Sequence, residues 1–192
     1  MNFPVENLDE SASAEELLVL FHMFSGLSLT ALTEAQYDLK VKLGKAMTAL
    51  SRRLKSKARL EECRQLDSEI VTLYKSMWDD SHNEDLALAL DHLGRSWHLI
   101  RDYIRAKVAA EESVQLWRQL AEENPERYEM DLVTSLRNFG FYSYQLGDLS
   151  GAMDAYQEVV NFLRNLAARE PGRYKDDLES TMQTVLQLGY VS

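Results

Sequence analysis

The sequence predicts an all-α protein made of stacked antiparallel helix hairpins. One observation dominates. A shift of 46 residues lays Asp85, Leu86, Leu90, Leu93 and Gly94 on Asp131, Leu132, Leu136, Phe139 and Gly140, and Asp102, Ala106 and Ala109 on Asp148, Ala152 and Ala155, without a gap. The register continues from Arg118, Leu120 and Ala121 on Arg164, Leu166 and Ala167 to Pro125, Arg127 and Tyr128 on Pro171, Arg173 and Tyr174. A fixed period of this size marks a unit that closes its core only against its neighbours. Two further observations agree: apolar residues inside each unit recur at helical spacing, and the 192 residues hold only three prolines and eight glycines.

In chain order, residues 1–12 read as a flexible lead-in. Ser13 and Glu16 form a capping-box pair, and Leu17, Leu18, Phe21 and Phe24 share one face, so 13–25 is an N-terminal helix covering the end of the stack. Thr33 and Gln36 offer a second capping box, opening a helix that runs to about Ser56. A shift of 43 then places Leu43, Met47, Leu50 and Ser51 on Leu86, Leu90, Leu93 and Gly94, and Cys63 on Ala106. The repeats are therefore 33–82, 83–124 and 125–170, followed by a capping helix at 171–192, all within one domain, 13–192. In the third repeat Asn124 is a good N-cap before Pro125, and Gly147 and Asp148 turn the chain between helices. In the last helix Leu178, Met182 and Val185 form the apolar side.

Composition narrows the chemistry. A net charge of -10 argues against a molecule that binds polyanions over its whole surface. A lone cysteine, no basic-then-apolar leader and no long apolar run make a cytoplasmic setting the expectation. No glycine-rich phosphate loop is present, and His22, His82, His92 and His98 lack ligand spacing, so neither a metal nor a cofactor is expected. Cys63, at a register position held by alanine in the other units, reads as a packed small residue. Trp97 and Trp117 fall at core positions, and the scattered carboxylates suggest no acid/base pair, so no catalytic residue is assigned.

The motif of the third unit, Leu136, Phe139, Gly140, Gly147, Asp148, Leu149, Ala152, Tyr156 and Val159, resembles the tetratricopeptide repeat (TPR), in the long-helix variety of kinesin light chains and of bacterial and fungal signalling arrays. Leu90, Leu93, Gly94, Trp97, Tyr103, Ala106 and Ala110 carry it in the second unit, and Ser51 and Cys63 take the small-residue places in the first. The resemblance implies a right-handed superhelical solenoid whose second helices run about two turns longer than usual, and a non-catalytic scaffold with a concave groove lined by the first helices. Transferred residue by residue, the groove positions include Lys45, Arg52 and Lys55, then Asp91, Arg95 and His98, then Arg137, Phe141 and Tyr144, with Asn138 beside them as a further partner contact. They collect cations against the single acid Asp91. From Leu39 to Leu60 there are eight basic residues and no acidic one, which leaves about -18 for the rest of the chain. The expected partner is thus a protein or acidic peptide segment, with no membrane involved. Nucleic-acid binding through the basic helix 39–60 is the alternative.

Overall fold

The computed structural model describes residues 37–56, 58–77 and 83–189, and among them every regular element is an α-helix. These are α1 (Tyr37–Ser56), α2 (Leu60–Lys75), α3 (Asn83–Leu99), α4 (Tyr103–Glu123), α5 (Pro125–Gln145), α6 (Leu149–Arg169) and α7 (Pro171–Gly189). The lead-in 1–12, the expected helix 13–25, the Thr33–Gln36 pair, His22, His82 and Trp78 lie outside the described residues. The helices fall into two compact units, divided between Ile100 and Arg101 in the turn between α3 and α4. Within unit 1, α1 packs on α2 and α2 on α3; within unit 2, α4, α5, α6 and α7 pack in sequence.

Local chemistry sets the helix ends. Asp102 and Asp148, which share a register position, accept hydrogen bonds from the N–H groups of Arg105 (3.1 Å) and Gly151 (2.9 Å). Asn124 does the same for Arg127 (3.3 Å), with Pro125 in the first turn, where its missing N–H leaves no gap. The three hairpin turns share a further feature: Ala58, Arg101 and Gly147, equivalent in the repeat, have φ of 57°, 63° and 76°. Only Gly147 adopts that left-handed backbone without a Cβ penalty.

Two expectations are corrected. The extra repeat length is not confined to second helices: α5 and α6 both have 21 residues, and in the first hairpin α1 has 20 against 16 for α2. On α7 the buried row is Tyr174, Thr181 and Leu188, whereas Met182 is exposed. Arg137 reaches from α5 to donate to Thr181 Oγ1 (3.0 Å) on this inward side of α7.

The largest fully buried side chains are apolar. Leu50, Leu54, Leu66 and Leu73 are fully buried in unit 1, as are Trp117, Leu132, Leu136 and Leu163 in unit 2. Trp97 is only half-buried and lies beneath the Arg64 guanidinium, 4.6 Å from its ring centroid. Helix crossings are tight where glycine stands. A Cβ on Gly140 would lie 3.0 Å from Tyr156 Cε2 and 3.3 Å from Ala155 Cβ, both on the second helix of its own hairpin. A Cβ on Gly44 would lie 2.5 Å from the Tyr74 hydroxyl, on a side chain only 4% exposed.

Replacing Gly140 by Leu gains about 1 kcal/mol of helix propensity at most but overpacks the crossing by about 1–3 kcal/mol. Thermal unfolding followed by circular dichroism is expected to show a lower melting temperature for Gly140→Leu and Gly44→Ala. Gly172→Ala, where nothing lies within 4 Å, serves as the neutral control.

Candidate functional site

In unit 1 a buried polar bridge lies where α1, α2 and α3 meet. Asp67 on α2, 2% exposed, accepts from Ser51 Oγ of α1 at 2.5 Å and from Ser96 Oγ of α3 at 2.5 Å. Cys63 Sγ, one turn earlier on α2, lies 3.7 Å from Asp67 Oδ2, 3.1 Å from Ser51 Oγ and 3.5 Å from Ser96 Oγ. Burial pushes the Asp67 carboxyl up, opposed by its donors and by the nearby charge of Lys55. Burial and then the Asp67 charge push the Cys63 thiol up as well, which disfavours the thiolate a nucleophile would need.

The bridge brings a set of cations together. Arg52 follows Ser51 and Lys55 lies one turn further along α1; Arg95 precedes Ser96 and His92 lies one turn earlier on α3. Burial, then the charges of Arg95, Lys55 and Arg52, push the His92 imidazole down to about 4, so it is neutral amid three cations. None of the three forms an ion pair among the described residues; Arg95 donates only to the Asp91 carbonyl, at 3.4 Å. Arg52 and Lys45 are exposed, Lys55, Arg95 and His98 half-buried. The side chains of Lys40, Lys42 and Lys57 lie outside the described residues, and Arg59 is tied to Glu62. Asp91, expected on the open side of α3, is instead 8% exposed beside Leu90 and Gly94. The packing of α3 covers this acid, which the groove assignment places among the ligand-facing positions.

In unit 2 the predicted positions divide. Phe141 and Tyr144 line a cleft of about 250 Å³ with Tyr156, Thr184, Gln187 and Leu188. Asn138 is half-buried. Arg137 is already engaged by α7: its guanidinium lies 3.4 Å from Asp177 Oδ1 and bonds Thr181, so an acid the sequence reading did not count stands beside it. Sequence reasoning also missed Asp67, Ser96 and His92. Their spacing on amphipathic helices gave no signal, because which turn a neighbouring helix covers is decided by packing.

The comparisons bear on this geometry. No family model matches the chain, and no curated protein matches it. A solved structure does: nearly identical TPR-like repeats from a Podosopora anserina protein described as a kinesin light chain superpose with a TM-score of 0.57, covering 90% of this chain and 88% of that one at 12% identity. The chain has a TPR-like fold. At that identity the likeness concerns fold alone, and the site has to be argued from the side chains. Among the described residues no group of His, Cys, Asp and Glu could hold a metal ion, and no helix is long and apolar enough to cross a membrane.

Three outcomes follow. Asp67→Ala leaves the Ser51, Ser96 and Cys63 donors without their acceptor and is expected to cost about 1–3 kcal/mol in urea unfolding. The His92 ring protons should titrate near pH 4 by NMR instead of near the ordinary value of 6.5. Because the unfolded chain binds this proton more readily, His92 favours the fold above about pH 6.5, and the benefit is lost as pH falls toward 4. Asp67, shifted upward, has the opposite sign: its ionisation weakens the fold as pH rises through its raised value. Stability of His92→Gln should therefore fall less than that of the parent between pH 6.5 and 4.

Proposed function

We propose that the protein is a non-catalytic interaction module whose unit 1 binds an acidic segment of a partner protein, a side-chain or C-terminal carboxylate being gripped by Arg52, Lys55 and Arg95. One observation carries this reading: three cations with no ion-pair partner among the described residues converge on a half-buried, neutral His92 in a chain of net charge -10. Bringing like charges together is unfavourable, so the cluster is a standing demand for an anion. Arginine grips a carboxylate through two parallel N–H donors, and the half-buried setting of Lys55 and Arg95 strengthens such bonds beyond what a fully solvated pair gives. Lys45 and His98 flank the cluster as the remaining expected contacts. In unit 2, Phe141, Tyr144 and Tyr156 form a cleft suited to an apolar side chain, with Asn138 and Arg137 on the same helix. The TPR-like fold supports the reading, since its hairpins present rows of side chains on the same face of successive helices.

The test is fluorescence anisotropy with a labelled Asp/Glu-rich dodecapeptide, bearing either a free C-terminus or an amide. Binding should weaken with salt, and Arg52→Gln/Arg95→Gln should weaken it at least about tenfold without lowering the melting temperature. Unchanged affinity in the double variant would make the basic face merely solvated. Preference for an RNA oligonucleotide of equal length would replace the acidic peptide by nucleic acid.

A further inference from the structure

Unit 2 carries a further cleft, lined by residues the basic face does not use. The helices α4 and α6 run parallel and are joined by two ion pairs, Lys107–Asp148 at 2.5 Å and Arg118–Glu158 at 2.6 Å. The two rungs are 11 residues apart on α4, or about 16 Å of helix. Between them the helices separate into a cleft of about 270 Å³. Its floor is apolar, with Val114, Leu136 and Ala155 buried and Phe139 half-buried, and its walls carry Glu111 from α4 and Asp154 from α6. Neither carboxylate has a cationic partner among the described residues.

The gap has a structural origin. The Arg118–Glu158 rung joins residues 40 apart. The same step from Glu111 reaches Gly151, which has no side chain, and the reverse step from Asp154 reaches Val114. The middle of the ladder thus holds two acids and no base. Gly151 brings no side chain into it, and a Cβ there would strike the Asp148 carboxylate that caps α6 and holds Lys107. The protein's own Lys107 shows how a cation sits here: its ammonium lies 5.4 Å from the centroid of the Phe139 ring that floors the cleft.

We infer that this cleft takes an arginine side chain presented by a segment of a partner protein. Its guanidinium supplies the missing middle rung between Glu111 and Asp154, and its aliphatic stem lies on the Val114–Phe139 floor. Arginine suits the place because its flat head can lie on an aromatic ring while its donors fork toward acids on opposite walls. The inference rests on unit 2 alone and stands whether or not unit 1 binds an acidic segment.

An NMR titration of the full chain with acetyl-Ala-Ala-Arg-Ala-Ala-amide, carried to millimolar peptide, tests it. The amides of Glu111, Gly151 and Asp154 should shift, and Glu111→Gln/Asp154→Asn should weaken binding at least about tenfold. The citrulline peptide, of the same shape without the charge, should leave those amides unmoved. Glu111→Lys supplies the rung from within and should raise the melting temperature while abolishing peptide binding. The inference is overturned if the arginine peptide shifts nothing in the cleft, if the double variant or Glu111→Lys binds it equally, or if citrulline serves as well. Tighter binding of the lysine peptide would overturn the choice of arginine. Concentration-dependent shifts of the same amides without peptide would place a second copy of the chain there instead.

Discussion

A hairpin of two amphipathic helices cannot cover both of its own apolar faces, so each helix depends on the next one along the chain. Contact must be close to exclude water, and close contact requires small side chains at the crossing. Unit 2 meets that requirement with Gly140 against Tyr156 and Ala155, and with Ala152 and Ala155 buried on α6. Unit 1 meets it differently. Ser51 and Cys63 occupy the register positions of Gly140 and Ala152, small enough to pack and polar enough to need partners. Asp67 is that partner, and by accepting from Ser96 as well it ties α1 to α3 through α2.

A buried carboxylate is costly unless every lone pair is used. Here the bridge also has a geometric consequence. The Ser51–Asp67–Ser96 bridge fixes the spacing of the residues beside it, and those residues are Arg52 and Arg95. Without the bridge the two arginines would be free to move apart, as like charges do. With it they converge on His92, and Lys55 lies close enough to favour ionisation of Asp67. The polar interior and the cationic surface of unit 1 are therefore one arrangement seen from two sides.

Much of this was legible in the sequence, and what was not has a common cause. The repeat placed the turns and caps, because Asp102 and Asp148 must cap wherever a hairpin reverses, and it marked Gly140 and Cys63 as packed positions. It could not show that Asp67 and Asp91 are buried, since a carboxylate on an amphipathic helix looks the same whether solvated or covered by a third helix. The groove assignment treated Arg137 as available for the same reason. Its partner Asp177 lies 40 residues away on a helix it does not follow directly.

That separation explains a further blind spot. Sliding the sequence by its repeat lays Arg118 on Arg164, like over like, and the attraction that Arg118 makes cannot be read from such an alignment. In space Arg118 meets Glu158, Arg137 meets Asp177 and Lys107 meets Asp148, at separations of 40, 40 and 41 residues. The contact register is thus five or six residues shorter than the 46-residue sequence register, roughly 9 Å along a helix. Where the repeat keeps the same charge, as at Arg118 and Arg164 or Asp102 and Asp148, such an offset is needed, because only residues from different places in the unit can attract. Where the offset joins unlike charges it makes a rung. Where it joins Glu111 to Gly151 it leaves an acid facing an opening, and the same rule that holds unit 2 together creates its vacancy.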